Sequence, residues 1–257
     1  MNRIKFVFSA SLIIFILVAT GCTHHYYGPN SVNVPLLRKA KDLNLSGAFS
    51  TADEASGFEF QSGYAFSKHI GGMVNFYSAT GSKTSSGNNA NLTIEKGNGV
   101  LGEIGVGYFT PLKNEEWIFE IYGGAGRGRV YNQYQQNEFS KVDLAKIFVQ
   151  PAIGYKNTRG TIEAAIASRF SMIDFSINAA TVNANNNLFD FNQIQDIRNN
   201  SNIVFFEPSF IFRAGSEKVK LQLQMTGSRS LSQKQFYTQP LNSSIGVVFI
   251  IGKAQKK

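Results

Sequence analysis

The chain has 257 residues, of which 16% are charged and 13% aromatic, with 22 Phe, 10 Tyr and 24 Gly. So many bulky apolar residues among so few charges exclude a disordered chain, and the length suits one β-barrel or one large domain. The net charge is +8, or +6 once residues 1–21 with Arg3 and Lys5 are set aside. No recognition helix, zinc pattern or clustered basic stripe supports nucleic-acid binding, so scattered Lys and Arg are better matched to anionic lipid headgroups.

Arg3 and Lys5 open the chain, and residues 6–18 form an apolar run of export-signal length. Ser9 and Ser11 interrupt the run, which is short for a bilayer span, although retention as an anchor stays open. Ala19, Thr20 and Gly21 then supply small residues before Cys22, the only cysteine, which has no partner for an internal disulfide. Val18-Ala-Thr-Gly-Cys22 resembles the lipobox of bacterial lipoproteins, with Ala19 where Leu is the common choice. That resemblance implies cleavage of a signal peptide over residues 1–21 and acylation of Cys22, with palmitate-type chains as the covalent lipid. Several chains buried together anchor stably where one binds only marginally.

Residues 22–41 read as an acylated periplasmic tether. Gly28-Pro29-Asn30 and Val34-Pro35 are turn and extended-linker signals. His24 and His25 are adjacent but lack a third ligand, so no metal is expected.

Residues 42–257 fall into about ten segments with apolar residues at every second position, the period of a strand with one apolar face. In chain order the apolar parities include Leu43, Leu45 and Phe49; Phe58, Phe60 and Tyr64; Ile70, Val74 and Phe76; and Val100, Ile104, Val106 and Tyr108. They continue with Trp117, Phe119 and Ile121; Ile147, Val149, Pro151 and Ile153; and Ile162, Ala164 and Ile166. The last three are Val204, Phe206, Pro208, Phe210 and Phe212; Val219, Leu221, Leu223 and Met225; and residues 244–251, which are apolar on both parities. Pro151 and Pro208 lack a ladder donor and are expected to mark bulges. Tyr27-Gly-Pro-Asn-Ser-Val-Asn-Val-Pro-Leu-Leu37, Gly107-Tyr-Phe109, Tyr122-Gly-Gly124 and Gln150-Pro-Ala-Ile-Gly-Tyr155 resemble a family of uncharacterised Gram-negative outer-membrane β-barrel lipoproteins. The resemblance implies a small up-and-down barrel and brings no activity with it.

Short connections near residues 67–69, 111–116, 157–160 and 214–217 alternate with long polar stretches at 79–97, 128–145, 172–200 and 228–241. Membrane barrels alternate short periplasmic turns with long outer loops in this way. The fold class expected is therefore all-β, an up-and-down antiparallel transmembrane β-barrel of about ten strands preceded by a cleaved lipoprotein signal peptide. An even strand number puts both termini on the short-turn side, where a lipid on Cys22 enters the inner leaflet. The parity opposite the apolar one carries Glu59, Glu103, Glu120, Glu163 and Glu207, with Arg169 and Lys220. In a dry core these charges would be costly. In a lumen they form either a partly filling charge network or a plain hydrated wall, around a narrow pathway at most. Trp117, Tyr108 and Tyr155 are expected to anchor the short-turn rim at the lipid interface.

No catalytic constellation is visible, since two of the three histidines precede the barrel and His69 lies by a short turn. Arg127 and Arg129 with Tyr131, Tyr134 and Phe139, and Lys234 with Phe236 and Tyr237, mix charge and aromatics in the loops, either touching lipopolysaccharide or simply solvated. Asn183–Asp196 is Asn-rich but lacks calcium-loop spacing. The expected function is a structural or narrow-pore, porin-like barrel lipoprotein of the cell outer membrane. It would be monomeric, inserted by the barrel-assembly machinery and in contact with outer-membrane lipids. The alternative is a soluble periplasmic lipocalin-like barrel, lipid-anchored, whose apolar parity would surround a small hydrophobic ligand.

Overall fold

The computed structural model describes residues 26–52, 55–86, 92–112, 116–134, 137–232 and 238–252. Residues 1–21, Cys22, His24, His25, Lys234, Phe236 and Tyr237 lie outside them. The chain forms β1 (Leu43–Ala52), β2 (Ala55–Ala65), β3 (Ile70–Ser86), β4 (Leu92–Pro111), β5 (Trp117–Gln133), β6 (Phe139–Lys156), β7 (Ile162–Thr181), α1 (Leu188–Asn199), β8 (Asn202–Gly215), β9 (Val219–Gly227), β10 (Arg229–Ser230) and β11 (Leu241–Ile251). Apart from the two-residue β10, which edges β8, each strand pairs antiparallel with its neighbours in the chain. Leu43 against Ile251 begins the β1–β11 seam that closes ten long strands into a barrel.

The apolar parity points outward on the whole wall. Ile104 is 66% exposed while its neighbour Glu103 is 2% exposed. Val106, Ile121 and Leu223 are exposed and Phe119 shares their side, so none of them belongs to a dry centre. A lipocalin-like barrel is the inverse of this arrangement. In β11 the ambiguity is settled by Ile245, Phe249 and Ile251 facing out and Val248 facing in. On β4 the outward apolar residues run from Tyr108 to Val100. Nine residues rising about 3.3 Å each and tilted near 40° cover roughly 23 Å, close to the height of a bilayer's apolar band.

Above the band the wall is uneven. Much of 79–97, 128–145 and 172–200, expected as loop, is strand, because β3 and β4 stay paired to Ser86 and Leu92 and β5 and β6 to Gln133 and Phe139. Apart from the stacked Tyr131 and Phe139, the described outward residues of these extensions are polar or small, so no apolar period marks them in the sequence. On the opposite side the rim is low, with β1 and β2 meeting at Ala52 and Ala55 and β11 starting at Leu241 opposite Gly227. The Asn-rich stretch supplies the cap Asn187 and helix α1, whose Ile194 and Ile197 pack over the long-connection mouth against Phe175, Ile203 and Phe205.

The prolines do not mark bulges. Val149 pairs with Phe170 and Ala152 with Ala167, so the register is unbroken across Pro151. Phe206 opposite Arg229 and Ser209 opposite Thr226 likewise keep one register across Pro208. Each missing donor leaves only a gap in the ladder, and the register shift in β6 falls at Lys141/Val142 instead.

Candidate functional site: a strand inside the barrel

The lumen is occupied by the chain's own amino-terminal segment. Tyr26, Tyr27, Val32, Val34, Leu36 and Leu37, with Asn30, Ser31 and Asn33, are all at most 3% exposed. From residue 26 on, the tether expected outside the barrel is its filling, and the expected hydrated pathway is closed by it. The segment enters at the long-connection mouth, where the Gln239 amide donates to the Tyr27 carbonyl at 3.0 Å. It leaves at the short-turn end, where Leu36 takes a left-handed φ of 53°. That bend aims the Leu37 amide at Glu120 Oε1, 2.9 Å away. The chain then turns back through Asp42 into β1.

An isolated extended segment has no strand neighbour to satisfy its main chain, so every buried carbonyl needs another donor. Seven consecutive carbonyls, of residues 29–35, receive one each from seven different strands. The donors to Pro29, Asn30, Ser31 and Val32 are Asn242 of β11 at 2.9 Å, Arg169 of β7 at 3.0 Å, Gln61 of β2 at 2.8 Å and Gln224 of β9 at 2.8 Å. Those to Asn33 and Val34 are Gln150 of β6 at 2.6 Å and Arg213 of β8 at 2.9 Å, and Asn44 of β1 serves Pro35. The remaining three strands hold the segment through Asn75 of β3, which accepts from Asn33 at 2.7 Å, Glu103 of β4, which accepts from Asn30 at 2.7 Å, and Glu120 of β5. All ten long strands therefore touch it. Val32, Val34 and Leu36 supply the apolar contacts, against Ile118, Ala152, Ala165, Ala167 and Ile211.

The expected lumenal charges point inward, but they form two clusters instead of one network. In the first, Lys146 Nζ lies 3.0 Å from Glu103 and 3.4 Å from Glu207, and Arg169 Nε lies 2.7 Å from Glu207. All four side chains are fully buried. Two cations balance two carboxylates, and Tyr27 of the inserted segment donates to Glu207 while accepting from Lys146 at 2.8 Å. In the second, at the short-turn end, Glu163 meets Lys156 at 3.1 Å, Arg213 at 3.3 Å and Lys220 at 3.2 Å. Glu59 and Glu120 belong to neither cluster. Glu59 accepts from the Ser31 amide at 3.2 Å and from Asn242 at 2.8 Å.

Lys146 and Arg213 are partners that the sequence reading passed over. Both continue the inward parity by one step, before Ile147 and after Phe212. Trp117 and Tyr108 lie on the outer face at the short-turn rim, with the Trp117 and Tyr155 rings 5.4 Å apart and Tyr108 stacked on His69 at 5.5 Å. Of the aromatic and charged loop residues, Arg127 and Arg129 prove to be on β5, facing out just above the apolar band, and Arg129 pairs with Asp143. Tyr134 faces in, with its hydroxyl 2.6 Å from that of Tyr26. A cavity of about 120 Å³ at the long-connection mouth is lined by Tyr27, Tyr77, Leu101, Val130, Asn132 and Leu144 among others.

No family model matches the sequence, and no curated protein matches it. Solved structures with a similar arrangement include the NanC porin, with a TM-score of 0.30 and 9% identity over 80% of this chain and 98% of that one. An outer membrane channel from Pseudomonas putida F1 has a TM-score of 0.35 and 11% identity over 90% of this chain and 100% of that one. CdiB from Acinetobacter baumannii has a TM-score of 0.25 and 7% identity over 84% of this chain and 60% of that one.

Proposed function

We propose that the protein is a monomeric outer-membrane β-barrel lipoprotein, anchored also through Cys22, that serves as a closed structural barrel and neither conducts solutes nor catalyses a reaction. The supporting observation is the built-in strand at residues 26–37, in which each carbonyl of residues 29–35 accepts from a side chain of the wall. A loosely seated gate would leave some of those groups to water. The outward apolar band supports insertion in a bilayer, since strands cross lipid only as closed barrels. Arg127, just above the band, suits the anionic face of lipopolysaccharide.

Two measurements test this. In planar bilayers the purified protein is expected to stay silent, and large, stable conductance steps overturn the closed reading. In carbonate extraction the Cys22→Ala variant is expected to remain with the membrane pellet, because the barrel alone holds it there. Its release into the supernatant overturns membrane insertion.

A further inference from the structure

We propose that the mature amino terminus leaves the barrel through the long-connection mouth, so that the acyl chains on Cys22 anchor in the outer, cell-surface leaflet. This rests on the lipidation and outer-membrane placement proposed above and reverses the side on which an even-stranded barrel would put its first residue. The inserted segment is the reason. It adds an eleventh crossing to the ten long strands, so the two ends of the described chain lie on opposite faces.

The direction of that crossing is fixed at both ends. Near its start, Tyr27 bridges Thr238 and the Tyr26 hydroxyl donates to Asp190 of the capping helix at 3.0 Å, both in long connections. Near its end, Arg38 Nη2 donates to the Lys156 carbonyl at 3.0 Å and the Lys41 amide to the Ala65 carbonyl at 2.8 Å, both beside short turns. Cys22 precedes Tyr26 by four residues, which span at most about 14 Å even when fully extended. The path back to the short-turn rim exceeds the roughly 25 Å apolar band, so the periplasmic leaflet is out of reach. The near leaflet is within it. Tyr27 lies beside Thr238, three residues before Leu241, which is 40% exposed at the outer edge of the lowest part of the wall.

The test is thiol labelling of the full-length chain in intact Gram-negative cells with a membrane-impermeant polyethylene-glycol maleimide. Three single variants are compared: His24→Cys, Asn185→Cys in the exposed turn before α1, and Arg159→Cys in an exposed short turn. The first two are expected to label equally in intact and lysed cells, and Arg159→Cys at least ten-fold more after lysis. His24→Cys that labels only after lysis overturns the proposal, as does Asn185→Cys shielded in cells where Arg159→Cys reacts. An epitope inserted after Thr23, expected to bind antibody on intact cells, decides the case if position 24 reacts under neither condition, and binding only after lysis overturns the proposal. The mass of the amino-terminal peptide separates the two layers of the argument. An unacylated Cys22 overturns the anchor through the lipidation reading, whereas an acylated Cys22 with a shielded position 24 overturns the direction of exit.

Discussion

Arg169 holds Asn30 twice, through Nη2 to the main-chain carbonyl at 3.0 Å and to the side-chain Oδ1 at 2.9 Å. The same guanidinium bonds Glu207 on the adjacent strand, so one side chain ties β7, β8 and the inserted segment. Arg169→Met would leave two buried carboxylates facing Lys146 alone. Breaking a fully buried ionic set by removing one partner costs about 3–5 kcal/mol, because a charge is left uncompensated. The variant is expected to lose about 3 kcal/mol in urea unfolding of the detergent-folded barrel. Adding Glu207→Gln, which restores neutrality, should recover part of the loss. An unchanged midpoint for Arg169→Met alone would mean that the cluster is solvated and the lumen wet.

Deleting residues 26–37 removes the filling and leaves the wall. The ten strands then enclose a space lined by Glu103, Glu207, Arg169, Lys146 and Arg213, narrower than a general porin but continuous. Small-ion conductance is expected from the deleted form, provided that its electrophoretic heat-modifiability shows a folded barrel. A synthetic peptide with the sequence of residues 26–37 should restore silence when added on the long-connection side. A folded deletion form that stays silent would mean that the wall collapses and closes itself.

The wall was legible in the sequence because lipid enforces a period of two: outward apolar, inward polar. The same period placed Glu59, Glu103, Glu120, Glu163, Glu207, Arg169 and Lys220 on the inner side. The inserted strand was not legible as such. Gly28, Pro29 and Pro35 read as linker, and a segment that finds its donors among side chains scattered over ten strands carries no pairing signature of its own. Two signals did bear on it. Asn30, Val32 and Val34 alternate with Ser31 and Asn33 as a strand does, and inward glycines at 63 and 154 leave room that a side chain would fill. The capping helix was hidden for a different reason, since Asn-rich composition masks the apolar pair Ile194 and Ile197.

Those two glycines give a prediction of their own. A Cβ at Gly154 would overlap Leu36 Cδ2, and one at Gly63 would lie 2.5 Å from Pro35 Cβ. Overpacking of this kind costs typically about 1–3 kcal/mol. Gly154→Val is therefore expected to push out the lower end of the segment without unfolding the wall. The readout is maleimide labelling of the neighbouring, fully buried Leu37→Cys in a Cys22→Ala background, which keeps the Leu36 side chain in place, slow when position 154 is Gly and at least several-fold faster in the Gly154→Val form. Gly102→Val, at an outward position where a Cβ meets nothing within 4 Å, is the matched control and should leave the labelling unchanged. Equal labelling in both backgrounds would place Leu36 away from Gly154.

The orientation of the wall itself is tested at Ile104, in the middle of the outward apolar run on β4. Arg there would face hydrocarbon if the band lies in a bilayer, and water if the barrel is soluble. Near the midplane the lipid penalty for Arg is about 2–4 kcal/mol, whereas an exposed surface substitution in water usually changes stability by less than about 0.5 kcal/mol. Ile104→Arg is therefore expected to lower unfolding free energy in phospholipid vesicles by about 2–4 kcal/mol. The matched substitution Asn98→Arg, outward on the same strand but above the band, should cost under about 1 kcal/mol, since the penalty fades towards the interface. The difference between the two sites is what identifies lipid, because both face outward on one strand and differ chiefly in depth. Equal, small effects at 98 and 104 would mean that no bilayer surrounds the barrel.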